Sequence, residues 1–283
     1  MIHSIDKVYD LYLSQLSLIL EIVDLASLKI EEAKLKRLPK PEDLNPNIKF
    51  IENQFIGKLR INKQLHRELA ARKISWAGEI EFVKQLFKEI KESADYINYM
   101  NSGTNSFQED KDFILKVYKS HISGSEVFEQ HFEEKSIYWV DDLELIDSMV
   151  LKTYKSITQS SDESHPLLKL YNDEEEDKQY VIDLFRKTLV HGDDYEKIIA
   201  DKTKNWEVER IALMDIIIMK MAICELLNFP SIPVKVTLNE FIDISKRFST
   251  PKSKVFVNGV LDKIIVDFKT NDKIKKSGRG LLE

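Results

Sequence analysis

The sequence predicts an all-α protein: a helical bundle in its C-terminal half with a long helical N-terminal extension before it. Three observations carry that expectation. Only eight glycines and seven prolines serve 283 residues, too few for the turns a sheet-rich chain needs. Apolar residues recur at three- and four-residue spacing over most of the length. The composition, 43% hydrophobic and 32% charged, is that of a globular chain with enough material for a sizeable core.

Taken in order, the pattern begins with a helix over 4–37, where Val8, Leu11, Tyr12, Leu16, Ile19, Leu20, Val23, Leu25 and Leu28 form the apolar face. Pro39, Pro41 and Pro46 break it, because proline ends a helix and restricts its neighbours. Helices are predicted over 47–71, around Phe50, Phe55, Ile56, Leu59 and Leu65, and over 76–100, around Ile80, Val83, Leu86, Phe87 and Ile90. The run Asn101 to Ser106 reads as a loop. Shorter helices follow at 107–121, 124–135 and 139–159, and Ser160 to His165 forms a second polar break. The acidic run Asp173 to Asp177 opens a helix ending near His191-Gly192, and another covers 194–204. Three helices close the chain, at 206–228, 234–248 and 253–268. The first is apolar nearly all round, which places it at the centre of a bundle. The domains expected from this pattern are an acidic helical region over 1–160, a bundle over 161–270 and a basic, flexible tail over 271–283.

Composition also excludes several chemistries. Cys224 is the only cysteine, so an intrachain disulfide or a CxxC centre is impossible and a reducing compartment fits. In the apolar helix it reads as a buried structural thiol rather than a nucleophile. Without a basic and apolar leader at Met1-Ile2-His3-Ser4, and without 18 uninterrupted apolar residues, a cytoplasmic protein with no membrane partner is expected. There is no GxGxxG, P-loop, GxSxG or HExxH pattern. The six histidines, at 3, 66, 121, 131, 165 and 191, show no metal-ligand spacing. Asp141-Asp142 and Glu174-Glu175-Glu176 suit the first turns of helices, where the dipole favours negative charge, and Asp193-Asp194 can cap the helix that follows Gly192. No enzyme, metal or cofactor is expected.

The net charge is −6, but it is unevenly spread. From Asp201 onwards 15 Lys/Arg face 11 Asp/Glu, a surplus of four, which leaves the first 200 residues at −10. Phosphate binding depends on local basic surface. The C-terminal third is therefore the candidate for contact with nucleic acid. Within it, Lys246, Arg247, Phe248, Lys252, Lys254 and Phe256 put four cations and two aromatics into 11 residues, beside the start of a helix. Such a stretch can take phosphates on Lys and backbone N–H groups and an unstacked base on an aromatic ring. A plain solvated turn would look the same.

Three motifs occupy residues 206–262. They are Trp206-x3-Arg210-x4-Asp215-x3-Met219-Lys220-x-Ala222-x2-Glu225-Leu226, then Ile232-Pro233-x2-Val236-x2-Asn239-Glu240, then Phe256-Val257-Asn258-Gly259-Val260-Leu261-Asp262. Together, in this order, they resemble the C-terminal half of the NusB family over about a fifth of the chain. The resemblance implies an all-α, non-enzymatic adaptor that binds boxA-type single-stranded RNA together with the ribosomal protein NusE and acts on the RNA polymerase elongation complex. It turns the 246–256 stretch into an RNA-contact candidate, with Lys220, Arg247, Lys252, Lys254 and Phe256 as binding residues. Arg210, Asp215, Glu225, Asn239, Glu240, Asn258 and Gly259 are then mainly structural. Asn239 would bond backbone across helices, Glu240 would pair with a base such as Arg210, and Gly259 would admit the close approach of another helix, since a helical Gly is otherwise costly. The chain departs from the family in opening on Ile5-Asp6-Lys7 rather than on a short Arg-rich helix, and in carrying about 140 residues before the recognisable half. Two rivals are a helical protein-interaction module that does not bind RNA and the NusB-like module of rRNA cytosine methyltransferases. The second needs a Gly-rich methyl-donor domain and a reactive cysteine.

Overall fold

A computed structural model describes residues 1–203 and 211–281. Among these residues there are fourteen α-helices and no strand. The chain divides into two compact units, Met1–Leu170 and Tyr171–Glu283.

Unit 1 is organised around α1 (Ile2–Lys34). All ten residues from Leu11 to Leu20 are buried, so the helix is enclosed by its neighbours and the polar groups it carries must be satisfied inside. Trp76 Nε1 donates to Ser17 Oγ at 3.0 Å, the Tyr118 hydroxyl and the Gln15 side-chain amide share a bond of 2.5 Å, and the Tyr12 and Thr153 hydroxyls share a bond of 2.6 Å. By length and composition α1 could cross a membrane, yet 78% of its most apolar window is buried in this unit. Its apolar surface is used in packing.

Around it lie α2 (Pro41–Leu44), α3 (Gln54–Arg60), α4 (Lys63–Arg72), α5 (Ile80–Glu92), α6 (Ala94–Asn101), α7 (Phe107–Val117), α8 (Glu126–Lys135) and α9 (Leu143–Ser156). The single helices predicted over 47–71 and 76–100 are each divided. Asn53 caps α3 by accepting from Ile56 N, and Asn62 starts α4 by accepting from Leu65 N at 2.8 Å. Ser93 ends α5 and caps α6, accepting from Tyr96 N at 3.1 Å. A short polar side chain that takes up the orphan N–H groups of a first turn makes a restart competitive with a continuous helix. Helix α7 runs into a π turn, Tyr118–Ile122. There Asp147 accepts from Ser123 and Tyr118, and burial still raises its carboxyl above the ordinary range. Residues after α9 stay with this unit: Leu167 is buried, Tyr9 OH donates to Leu168 O and Leu168 N donates to Tyr12 OH. The division therefore falls at 170 rather than 160.

Unit 2 contains α10 (Glu174–Val190), α11 (Gly192–Lys202), α12 (Leu213–Asn228), α13 (Val234–Phe248) and α14 (Ser253–Thr270). Asp173 caps α10, accepting from Glu175 N and Glu176 N. The apolar α12 packs against the other four helices, burying Ile218, Met219, Ala222 and Ile223. Cys224 is fully buried beside the Leu184 carbonyl. Trp206 and Arg210, and with them the predicted start of this helix, lie outside the described residues.

The tail differs from the flexible segment predicted for 271–283. Ser277 N donates to Pro230 O at 3.0 Å, Lys276 Nζ donates to Phe229 O at 2.9 Å, and Ile274 packs on the core of the unit. A short 3₁₀ turn, Gly278–Leu281, completes the strap. Composition hid this because most of the anchoring partners are backbone carbonyls, at Phe229 and Pro230, and one contact depends on a glycine. A Cβ on Gly280 would stand 1.9 Å from Pro230 O, so only glycine admits this approach. Gly280→Ala is expected to release the strap and to lower stability by about 1–3 kcal/mol, the usual range for forced overpacking. Hydrogen exchange at the Ser277 amide, read together with a denaturation midpoint, checks both effects.

Candidate functional site

The connection between α13 and α14, Ser249-Thr250-Pro251-Lys252, is held from below by one side chain. Asp215, in the first turn of α12, is 4% exposed. Its two carboxylate oxygens accept from Ser249 Oγ at 2.6 Å and from Ser253 Oγ at 2.8 Å. Ser253 also closes the turn locally, since Thr250 N donates to its hydroxyl and Ser253 N donates to Thr250 O. A buried carboxylate must be met by donors, and here the two serines supply them from both ends of the connection. Both hydroxyls point inward. Lys252 and Lys254, between and after them, are left outward.

Lys252 and Lys254 are exposed and make no ion pair with another described residue. Val255, also outward, is 75% exposed. Phe256 is half-buried and packs against the core of unit 2. Arg247 is exposed with its guanidinium over the Phe248 ring, and Lys246 is taken by Asp243. Of these residues Lys252, Val255 and Phe256 line a groove of about 740 Å³, together with Ala212, Gly259 and Val260. Lys263 stands on its far rim, exposed and without an ion-pair partner among the described residues. The sequence reading missed Lys263, although it sits four residues after Gly259 on the same helical face. It also missed Ser249 and Ser253 as anchors. Their signal was a Ser-x3-Ser pair flanking a proline turn.

Lys220 is not part of this cluster. It follows Asp215 by five residues, about 140° around the helix, and its Nζ bonds Glu196 Oε2 of α11 at 2.5 Å. Glu225 is buried and accepts from the Tyr180 hydroxyl. Burial and that hydrogen bond push the Tyr180 phenol far above its ordinary value. Asn239 and Glu240 lie on the exposed face of α13, and among the described residues Asn239 makes no bond across helices of the kind predicted. Arg210, the expected partner of Glu240, lies outside the described residues. Asn258 donates to Asp262 one turn on. Gly259 corrects a second expectation, since among the described residues nothing lies within 4 Å of where its Cβ would be and no helix approaches it closely. Among the described residues no group of three His, Cys, Asp or Glu side chains could hold a metal ion.

The site is thus a rigid, cation-bearing turn at the end of an all-helical bundle, with an apolar groove beside it and no catalytic constellation among the described residues. The sequence model of the NusB family matches residues 139–266. The transcription antitermination protein NusB of Salinibacter ruber is 38% identical over 138 residues, covering 47% of this chain and 86% of the relative. NusB of Geobacter sulfurreducens is 37% identical over 121 residues, 41% of this chain and 88% of the relative. NusB of Chloroherpeton thalassium is 39% identical over 106 residues, 38% and 50% of the two chains. No solved structure gives a significant match. The chain belongs to the NusB family. The match reaches well upstream of the three motifs, into α9 and the residues that follow it.

Two measurements test the packing. Asp215→Ala leaves two inward hydroxyls without their charged acceptor and is expected to cost about 3 kcal/mol, read as a lowered urea midpoint with faster exchange in the first turn of α14. Gly259→Ala should do the opposite. With open space around it, an alanine is expected to stabilise the helix by roughly 0.5–1 kcal/mol, visible as a raised melting temperature.

Proposed function

We propose that this protein is a transcription antitermination or elongation adaptor that binds boxA-type single-stranded RNA together with NusE, and so acts on the RNA polymerase elongation complex. The carrying observation is the Asp215-pinned turn, which presents Lys252 and Lys254 to solvent without carboxylate partners among the described residues, in a chain whose relatives are transcription antitermination proteins. Binding of this kind needs no catalysis and no cofactor. Phosphate neutralisation supplies a salt-sensitive part of the affinity, and an aromatic or apolar surface supplies contact with an unstacked base. In this reading Lys252, Lys254 and Arg247 meet phosphates, and Phe256 offers the ring. Lys220, bonded to Glu196, contributes only by exchanging that carboxylate for a phosphate. The work is done in the cytoplasm, where nascent RNA and ribosomal proteins are available.

One observation favours a second reading, a helical module that contacts proteins without RNA. Phe185, Leu189 and Val190 of α10 and Leu213, Met214 and Ile217 of α12 are exposed, Val190 at 76% and Leu213 at 73%, large apolar side chains of the kind a protein partner covers.

An anisotropy titration against boxA-type RNA and a scrambled control, with and without NusE, separates the readings. Preference for boxA supports the adaptor; equal binding of both RNAs at low salt, even with NusE, rejects it. Replacing Lys252 and Lys254 together by Ala is expected to reduce the slope of log affinity against log salt by about 1.4, the single-strand value for two phosphate contacts. An unchanged slope would place the RNA on another surface.

A further inference from the structure

Gly259 lies exposed within α14, its φ is not in the left-handed region, and a Cβ there would meet nothing within 4 Å. No turn and no close helix contact among the described residues requires it, and glycine weakens a helix. What the missing side chain provides is room: a strip of bare peptide backbone on the floor of the groove. Val255 stands four residues before it and Lys263 four after, on one face of the helix. The rim is cationic, with Lys252 at one end and Lys263 at the other. Asp215, the one carboxylate among the described lining residues, is already engaged by Ser249 and Ser253.

We propose that the groove over Gly259 seats one unstacked nucleobase, with Lys263 taking the phosphate beyond it. This rests on the RNA-binding reading of the 252–256 turn and adds a direction to it: the strand leaves Lys252 and follows α14 towards Lys263, about 16 Å along the helix axis. The chemistry matches a nucleotide in both parts. A flat ring can lie on exposed backbone and on Val255, where any side chain at 259 would hold it off. The flanking phosphates meet two lysines that carry no carboxylate partners among the described residues. A partner helix would gain from the lysines only by bringing carboxylates to both rims, and would have no use for a gap one side chain wide.

The test uses the full chain and boxA-type RNA in which each base in turn is replaced by an abasic site. Gly259→Leu fills the groove. It is expected to melt no lower than wild type and to bind intact RNA about tenfold more weakly, the order of one lost base stack. One abasic position that weakens wild-type binding should cost nothing further in this variant, the signature of direct coupling. Lys263→Ala should lower the salt slope by about 0.7. Wild-type affinity in Gly259→Leu, or additive losses at every abasic position, overturns the proposal. If Lys252→Ala with Lys254→Ala weakens binding while Gly259→Leu does not, only the groove assignment fails. If neither weakens binding, the RNA-binding reading fails with it. Loss of NusE capture in Gly259→Leu with RNA affinity intact would give the groove to a protein and overturn its assignment to a base.

Discussion

The Asp215 carboxylate, buried in the first turn of α12 and bonded to Ser249 and Ser253, ties three helices of unit 2 to one point. It joins the start of the central helix to the end of α13 and the beginning of α14. A charge in that position is tolerated only while both donors stay in place, so the turn cannot drift without leaving it unsatisfied. The outward Lys252 and Lys254 inherit that rigidity. In the proposed RNA-binding reading, a strand that settles on the turn meets a backbone already held in place, and the ordering cost falls on the strand and the lysine side chains.

Unit 1 uses the same logic in an apolar setting. Its central helix is enclosed along ten residues, where hydrophobic burial supplies stability but little orientation. Ser17, Gln15 and Tyr12 supply the orientation, because each has a partner from a different part of the chain, in Trp76, Tyr118 and Thr153. A rotation of α1 by one residue would strand all three polar groups among carbon. The packing is therefore specified by a few hydrogen bonds and made favourable by the many apolar contacts around them.

The helical class and most helices were legible because apolar spacing is a long, redundant signal. Boundaries were less so. Asn53, Asn62 and Ser93 interrupt patterns that continue on either side of them, and a capping side chain announces itself only through the backbone it bonds. At the site, the outward lysines and the turn could be read from composition and proline. The role of Asp215 could not, since its donors lie 34 and 38 residues away in sequence. The two informative glycines were read the wrong way round. Gly259, expected at a tight helix contact, meets nothing close among the described residues, while Gly280, expected in a loose tail, meets a carbonyl at a distance no side chain could allow. A glycine in sequence says only that a side chain is absent; its neighbours in space say why.

Cys224 gives the molecule a built-in reporter. As the single thiol of the chain, fully buried in unit 2 beside the Leu184 carbonyl, it can react with an alkylating reagent only when that unit opens. Its labelling rate therefore measures the opening equilibrium of unit 2 when closing is fast, and the opening rate when the reagent outpaces closing. Unit 1 contributes no background. A single mass measurement per time point would follow the breathing of unit 2 in the intact protein, without a fluorophore or a tag.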